Sequence, residues 1–404
     1  MQPRPLGIRG TVTVFDLPRS AALIAGPSFC RFVSMNETQR NLLGLTRDEL
    51  AEFAESNGQP RYRGRQLFGW LYTRGATSFS QMTDLGKAFR EQLAMGASVS
   101  GIALVAQRQS ARDKTTKFLF ALQDGLRIES VLIPPASAFQ PGYDFPEDEQ
   151  RRLTLCVSTQ VGCPLDCKFC ATGTVGYRRN LTAGEILDQF LQVRRVVKKK
   201  ITNVVFMGMG EPLMNYDNVM KAVDIFSAGL GIGVRRITVS TAGWAENIRR
   251  MGEEGRKTKL ALSLHSAVDA TRTTLMPIAK KFSLKQLQNA LEYYYRKTKQ
   301  QVTYEHIFFD GVNDTEAEVQ ALIRFTRFIP CKINVIPFHS ISFTGVGGEG
   351  ANLSPSPRMS EMVERLRASN ITVMVRSNSG EDIEGACGQL VAMDVKRRRV
   401  AGLG

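Results

Sequence analysis

From residue 153 onward the chain repeats one pattern six times: a short apolar run, then an amphipathic stretch of helical length. The apolar runs fall at 153–159, 203–207, 237–240, 260–264, 302–309 and 333–338, and the helical stretches near 182–198, 216–228, 245–254, 284–298, 315–328 and 357–369. In the fourth helical stretch, Leu284, Leu287, Leu291 and Tyr294 step by three, four and three, the spacing of a buried helical stripe. Strand and helix alternating through short connections dictate a parallel sheet with right-handed crossovers. Six units fall short of a closed eight-fold barrel, so the expected α/β architecture is a partial (βα)6 barrel. Chemistry on such a fold sits at the C-terminal ends of the strands.

The segment before the barrel reads differently. Residues 41–95 are expected to be helical, with Thr46 and Glu49 spaced as a capping box. Leu67, Trp70 and Leu71 share a helical face that starts among Arg61, Arg63 and Arg65. Two apolar runs flanking Asp124 and Gly125 predict a β-hairpin within 116–133, followed by a surface loop at 134–150. The expected division is an extension at 1–34, a helical accessory domain at 35–102, a β linker with a loop insertion at 103–150, the barrel at 151–395 and a basic tail at 396–404.

Charge and cysteine usage narrow the setting. The formal charge of +15 suits a polyanion, most simply nucleic acid, though a basic protein without such a partner remains open. No window of about 18 apolar residues occurs, so no membrane-spanning helix is expected. Seven cysteines, three of them within eight residues, fit a metal or redox site in a reducing compartment better than a disulfide framework. The extension carries Arg4, Arg9, Arg19 and Arg31 against Asp16. It reads either as an organelle transit segment or as upstream sequence before a start at Met35. A cytoplasmic location is expected in the second case, and a chloroplast or mitochondrion in the first.

The chemistry-bearing residues fall at strand ends. Cys163, Cys167 and Cys170 are spaced C-x3-C-x2-C after the first barrel strand. Three thiolates can hold three irons of a [4Fe–4S] cubane and leave the fourth iron open to a small chelating ligand. A closed zinc site would need a fourth ligand nearby, and His265 and Cys387 are remote in sequence. Two glycines before Glu211, in Gly208-Met-Gly210-Glu-Pro212, expose backbone to a ligand, with Glu211 able to accept from an ammonium. Ser240, and Ser263-Leu264-His265, end the third and fourth strands, where hydroxyls bind a ribose or carboxylate or simply cap helices. His339 ends the sixth. The glycine-rich stretch 345–350 lacks the lysine of a phosphate loop and reads as a flexible connection. Cys156 and Cys387 are isolated cysteines, ordinarily inert small hydrophobes, as are Cys30 and Cys331.

A resemblance changes that last reading. From about 36 to 395 the chain resembles the RlmN/Cfr family of radical-SAM RNA methyltransferases, more closely the RlmN branch. Its marks are the 62–71 helix, Gln81-Met-Thr-Asp-Leu85, Glu129, Cys156, Gln160-Val-Gly-Cys163, Phe169-Cys-Ala-Thr-Gly-Thr174, Arg179-Asn-Leu181, Gly208-Met-Gly-Glu-Pro212, Ser263-Leu-His265 and Ala386-Cys-Gly-Gln-Leu390. The resemblance implies a [4Fe–4S] cluster on Cys163, Cys167 and Cys170, and two molecules of S-adenosylmethionine per turnover. One molecule methylates Cys387; the second yields a 5′-deoxyadenosyl radical that takes hydrogen from that methyl group. The carbon radical adds to C2 of an adenosine, and Cys156 then forms a disulfide with Cys387 to release product. Glu129 is implied as a proton acceptor, and Gly210, Glu211, Ser240, Ser263, Leu264, His265 and His339 as contacts for S-adenosylmethionine. His339 stands where the family carries asparagine, and 134–150 is longer than usual. Implied partners are 23S rRNA, adenosine 37 of tRNA in related enzymes, and a one-electron donor such as flavodoxin or ferredoxin; the expected state is a monomer. Alternatives are C8 methylation of the Cfr type, a radical activase acting on a protein, and a non-catalytic iron–sulfur or RNA-binding protein.

Overall fold

The computed structural model describes residues 12–13, 39–135, 152–344, 353–376 and 379–391. Cys30, almost all of the 1–34 extension, nearly all of the 134–150 loop, the 345–350 stretch and the 396–404 tail lie outside the described residues.

In chain order, β1 (Val12–Thr13) precedes an N-terminal unit of β2 (Arg40–Asn41), α1 (Arg47–Ser56), α2 (Tyr62–Phe68), α3 (Lys87–Gly96) and β3 (Ala97–Ser98). Thr46 Oγ1 accepts from the Glu49 N–H at 3.3 Å and Glu49 returns the bond to Thr46 N–H at 2.8 Å, so α1 begins where the capping box requires. Leu67 and Leu71 are buried, while Trp70 is half-buried. Past Phe68 the helix widens into a π-type turn, Gly69–Arg74. The Tyr72 hydroxyl that this turn buries accepts from Gly44 N–H and donates to the Leu45 carbonyl. Arg61 and Arg65 remain on the surface.

A meander of β4 (Ile102–Gln109), β5 (Thr116–Leu122) and β6 (Arg127–Ile133) follows. The barrel then runs β7 (Thr154–Cys156), β8 (Gln160–Gly162), α4 (Ala171–Thr174), β9 (Tyr177–Asn180), α5 (Ala183–Val197), β10 (Asn203–Phe206), α6 (Tyr216–Ala228), β11 (Ile237–Thr241) and α7 (Ala245–Glu253). It continues with β12 (Lys259–Ser263), α8 (Asp269–Leu275), α9 (Leu284–Thr298), β13 (Val302–His306), α10 (Glu316–Thr326), β14 (Cys331–Val335), α11 (Met359–Ala368) and β15 (Val373–Val375). One eleven-stranded sheet takes the order β1-β4-β5-β6-β7-β10-β11-β12-β13-β14-β15. Every pairing from β7 to β15 is parallel, and the pairings from β1 to β7 are antiparallel. The parallel strands are sandwiched between helices and an interior, so Leu155, Val204, Phe206, Val239, Leu260, Leu262, Val302, Tyr304, Ile333 and Val335 are all buried.

Two elements depart from expectation. The meander has three strands rather than a hairpin, because β4 is half-exposed and its polar Gln107, Arg108 and Gln109 hide any alternation. It also extends the barrel sheet directly through β6 on β7. A seventh parallel strand, β15, closes the far edge; only Val373 of its three residues is buried, so no apolar run announces it. Among the described residues, no helix is long and apolar enough to cross a membrane.

Candidate active site

The cysteine loop is built at the mouth of the barrel by the β8–β9 hairpin. Gly162 holds φ +75°, where an added Cβ would drive into the Gly176 carbonyl, so the turn requires glycine. Cys163 N–H then donates to Gly176 O and Cys170 N–H to Cys167 O, both at 3.1 Å, which folds the three cysteines into one turn. Burial pushes all three thiols up, Cys163 to about 12; neighbouring thiols add to the rise at Cys163 and Cys167. Three half-buried thiolates would repel one another unless a cationic group held them, and such a group reverses the shift. Among the described residues, no three histidine, cysteine, aspartate or glutamate side chains converge on a single ion position. A cubane asks for no such convergence, because each thiolate meets a different iron. The donor set therefore fits a [4Fe–4S] cluster with one iron left free of protein ligands.

Opposite the cysteines, the β10 strand ends in the glycine loop. Gly208 N–H donates to Val157 O at 3.1 Å, and Met209 N–H to Ser158 Oγ at 2.9 Å. Gly210 adopts φ +102° with its α-carbon against Gln160, where an added Cβ would lie 2.5 Å from the Gln160 Cβ. Gln160 Oε1 in turn accepts from Glu211 N–H at 2.8 Å. The Glu211 carboxylate accepts from Leu213 N–H at 3.0 Å and Ala242 N–H at 2.8 Å. Burial outweighs these bonds and pushes it up to about 7.

The ends of β11 and β12 complete that wall. Ser240 and Ser263 are half-buried on their strands, and Leu264 is fully buried with its N–H on Glu305 O. His265 sits at φ +54°. Its ring meets Phe169 of the cysteine loop edge-on at 4.5 Å, and its Nδ1 accepts from Ile307 N–H at 3.2 Å. Burial holds this imidazole neutral, well below its usual range.

The Ala386–Leu390 segment docks onto the cysteine loop. Ala171 N–H donates to Gly388 O at 2.6 Å and Thr172 Oγ1 to Leu390 O at 2.6 Å. Gly388 holds φ +82° with the Phe169 carbonyl 3.1 Å from where a Cβ would stand. Cys387 is exposed, Cys156 is buried at the end of β7, and both are free thiols. Burial, then the charge of Cys387, pushes the Cys156 thiol up to about 12. Arg376 lies beside Cys387: its Nη1 is 3.8 Å from Cys387 Sγ and from Met207 Sδ, and its Nη2 3.3 Å from Glu305 Oε1.

Glu129 lies beneath this segment, not open to it. Its Oε2 accepts from Val391 N–H at 3.0 Å, and its Oε1 is 3.4 Å from Lys117 Nζ. Lys117 also donates to the Glu384 carbonyl at 3.1 Å. Thus a buried pair grips the chain three residues before Cys387 and four after it. His339 is buried, with Nδ1 3.4 Å from Glu381 of the same segment but without hydrogen-bond alignment. The structure brings Cys156, Cys163, Cys167, Cys170, Cys387, Glu211 and His265 to one mouth, and leaves Cys331 at the opposite end, where β14 begins, its Sγ near Thr326 O. Arg376, Glu305, Lys117 and Arg272 escaped the sequence reading. A lone basic residue in a chain of 53 lysines and arginines carries no signal of its own.

Comparison with known proteins decides the family. Residues 157–324 match the Radical SAM superfamily, and residues 40–99 match the ribosomal RNA large subunit methyltransferase N-terminal domain. The chain is 41% identical to the probable dual-specificity RNA methyltransferase RlmN of Flavobacterium psychrophilum, over 89% of this chain and all of that protein. The chain belongs to the RlmN family. Its counterpart in Thermotoga maritima, of the same designation, is 40% identical over 89% of this chain and 99% of that one. Among solved structures, a radical SAM methyltransferase from Sphaerobacter thermophilus superposes with a TM-score of 0.78 at 38% identity, covering 88% of this chain and all of that one. Members of the radical SAM superfamily use a [4Fe–4S] cluster and S-adenosylmethionine, which agrees with the donor set at the barrel mouth.

Proposed function

We propose that this protein is a radical-SAM RNA methyltransferase that methylates C2 of an adenosine in 23S rRNA, and adenosine 37 of tRNA, through a methyl group carried on Cys387. The reading rests above all on one observation: the Cys387 segment is hydrogen-bonded onto the cysteine loop, where the charge of Cys387 bears on Cys156. Relatives named as dual-specificity RNA methyltransferases support the substrate class.

Cys163, Cys167 and Cys170 would hold the cluster, which supplies one-electron reductive cleavage of S-adenosylmethionine. Glu211 and the exposed backbone of Gly210 would receive the methionyl ammonium, and Ser240, Ser263, Leu264 and His265 would line the rest of that site, with His339 at its rim. Cys387, exposed, accepts a methyl group from a first S-adenosylmethionine. Cys156, buried and protonated at neutral pH, is kept from competing for it. Once the carbon is bonded to adenine C2, the Cys156 thiol gives up its proton and its sulfur would bond to Cys387 Sγ as the bond from that sulfur to the transferred carbon breaks; the carbon keeps the electron pair and takes up a proton to become the methyl group, and a thiol reductant would reopen the disulfide for the next turnover. Glu129 is the proton acceptor in this reading, and the same side chain anchors the Cys387 segment. The helical unit at 35–102 and the basic surface would grip RNA through shape and phosphate. A ferredoxin or flavodoxin would deliver the electron, and a monomer suffices because every residue invoked comes from one chain.

The test is anaerobic incubation of cluster-loaded protein with S-adenosylmethionine, reductant and an unmodified rRNA fragment, with methyladenosine isomers resolved by mass spectrometry. 2-Methyladenosine is expected. 8-Methyladenosine would move the chemistry to C8, and release of 5′-deoxyadenosine without any methylated base would remove RNA as the substrate.

A further inference from the structure

Arg272 is the largest side chain in the fold that is fully buried, at 1% exposure. It rises from α8 beneath the ends of β11 and β12. Its Nη2 donates to Ala242 O at 2.5 Å and reaches Ser263 O at 3.4 Å. Its Nε and Nη1 hydrogens have no partner. A buried guanidinium with two donors idle is costly, and such groups are found against an anion. Two observations locate that anion. Leu275, one turn on from Arg272, accepts from the N–H of Lys168, the residue after Cys167, at 3.0 Å, so α8 is tied to the cysteine loop. Cys167 acts on Arg272 more strongly than Asp269 does, the two acid-forming groups that bear on it. Glu211, across the Ala242 peptide, is already satisfied by backbone N–H groups and does not compete.

We infer that Arg272 is a positioning residue for the cluster: a resident countercharge, buried on the helix tied to the cysteine loop, that raises the reduction potential of the thiolate-ligated iron–sulfur group. The inference rests on the cluster-binding part of the proposed function and is independent of the RNA part. Three thiolates make the ligated cluster an anion that gains a further negative charge on reduction. A fixed buried cation favours the reduced form.

The experiment compares full-length, anaerobically reconstituted wild type with Arg272→Met, Arg272→Gln and Arg272→Lys. Iron content, visible absorbance, circular dichroism and midpoint potential by spectroscopic titration are measured, with binding of S-adenosylmethionine measured separately. Wild type that binds no cluster would sink the proposed function itself. With the cluster present, the neutral variants are expected to keep their iron and to show at least a tenfold fall in the reduced-to-oxidised ratio at fixed potential. That fall is about 59 mV for a one-electron couple. Lysine retains the charge, so Arg272→Lys is expected to stay within about threefold of wild type. If the neutral variants do not fold, Arg272→Lys decides, and a tenfold fall there contradicts the countercharge. Unchanged potential in an intact neutral variant overturns the inference. Lost affinity for S-adenosylmethionine at unchanged potential would instead assign the guanidinium to that molecule's carboxylate.

Discussion

Replacing Lys117 by Met tests whether the buried pair beneath Cys387 holds the catalytic segment. Lys117 Nζ lies 3.4 Å from Glu129 Oε1, with the two side chains 6% and 4% exposed. At an effective dielectric of about 20 that separation corresponds to about 5 kcal/mol of attraction, before desolvation is subtracted. Removing one partner leaves the Glu129 carboxylate buried without its cation, and such losses run to about 3–5 kcal/mol. The same ammonium donates to Glu384 O, while Glu129 accepts from Val391 N–H, so the loss falls on both flanks of Cys387. Urea unfolding and hydrogen exchange of the Val391 amide report the global and local terms. Lys117→Met alone is expected to destabilise by about 3 kcal/mol and to speed Val391 exchange. Adding Glu129→Gln, which discharges the stranded carboxylate, should recover roughly 1–3 kcal/mol as coupling. Additivity within about 0.5 kcal/mol, or unchanged exchange at Val391, would refute the clamp.

Two further outcomes follow from the same geometry. Glu211 is raised in the folded state to about 7 from an ordinary 4.5, so the folded chain binds the extra proton between those values. Stability due to this group is therefore fully present below pH 4.5 and is lost as pH rises toward 7. In cluster-free protein the stability of Glu211→Gln relative to wild type should rise by about 3 kcal/mol across that window, read as urea midpoints at successive pH values; a flat difference would contradict the burial argument. Iodoacetamide at pH 8 should modify exposed Cys387 on the order of a hundredfold faster than buried Cys156, whose thiol is pushed to about 12. Peptide mass spectrometry of timed samples measures both, and equal rates would show that Cys156 is not shielded.

Much of the scaffold was legible because helix signals are local. The capping box at Thr46 closes as its sequence requires, and the buried stripe of Leu284, Leu287, Leu291 and Tyr294 is intact. The partial barrel follows from the alternation of runs, and family membership agrees with it. What escaped has a physical reason in each case. Strand β15 is a three-residue edge with one buried side chain, and β4 shows solvent its polar half. Helix α8 is short, and its Arg272 looks like any surface arginine until the fold buries it. Cysteine spacing pointed to the cluster loop, whereas the pairing of Cys156 with Cys387 depends on 230 intervening residues folding back and was implied by resemblance alone. Glu129 was implied as a proton acceptor by resemblance alone; the fold engages both its oxygens, and only tertiary structure shows that Lys117 and Val391 are its partners.

The central claim is that the methyl group passes through Cys387. Cluster-loaded protein would be incubated with S-adenosylmethionine bearing a trideuterated methyl group, then digested, and the peptide carrying Cys387 sequenced by mass spectrometry with the RNA nucleosides from the same tube. Labelled methyl on Cys387 before RNA is added, and labelled 2-methyladenosine after it that is absent from Cys387→Ala, is the result expected. Labelled RNA from Cys387→Ala, or labelled RNA with no methyl ever found on Cys387, would contradict the account.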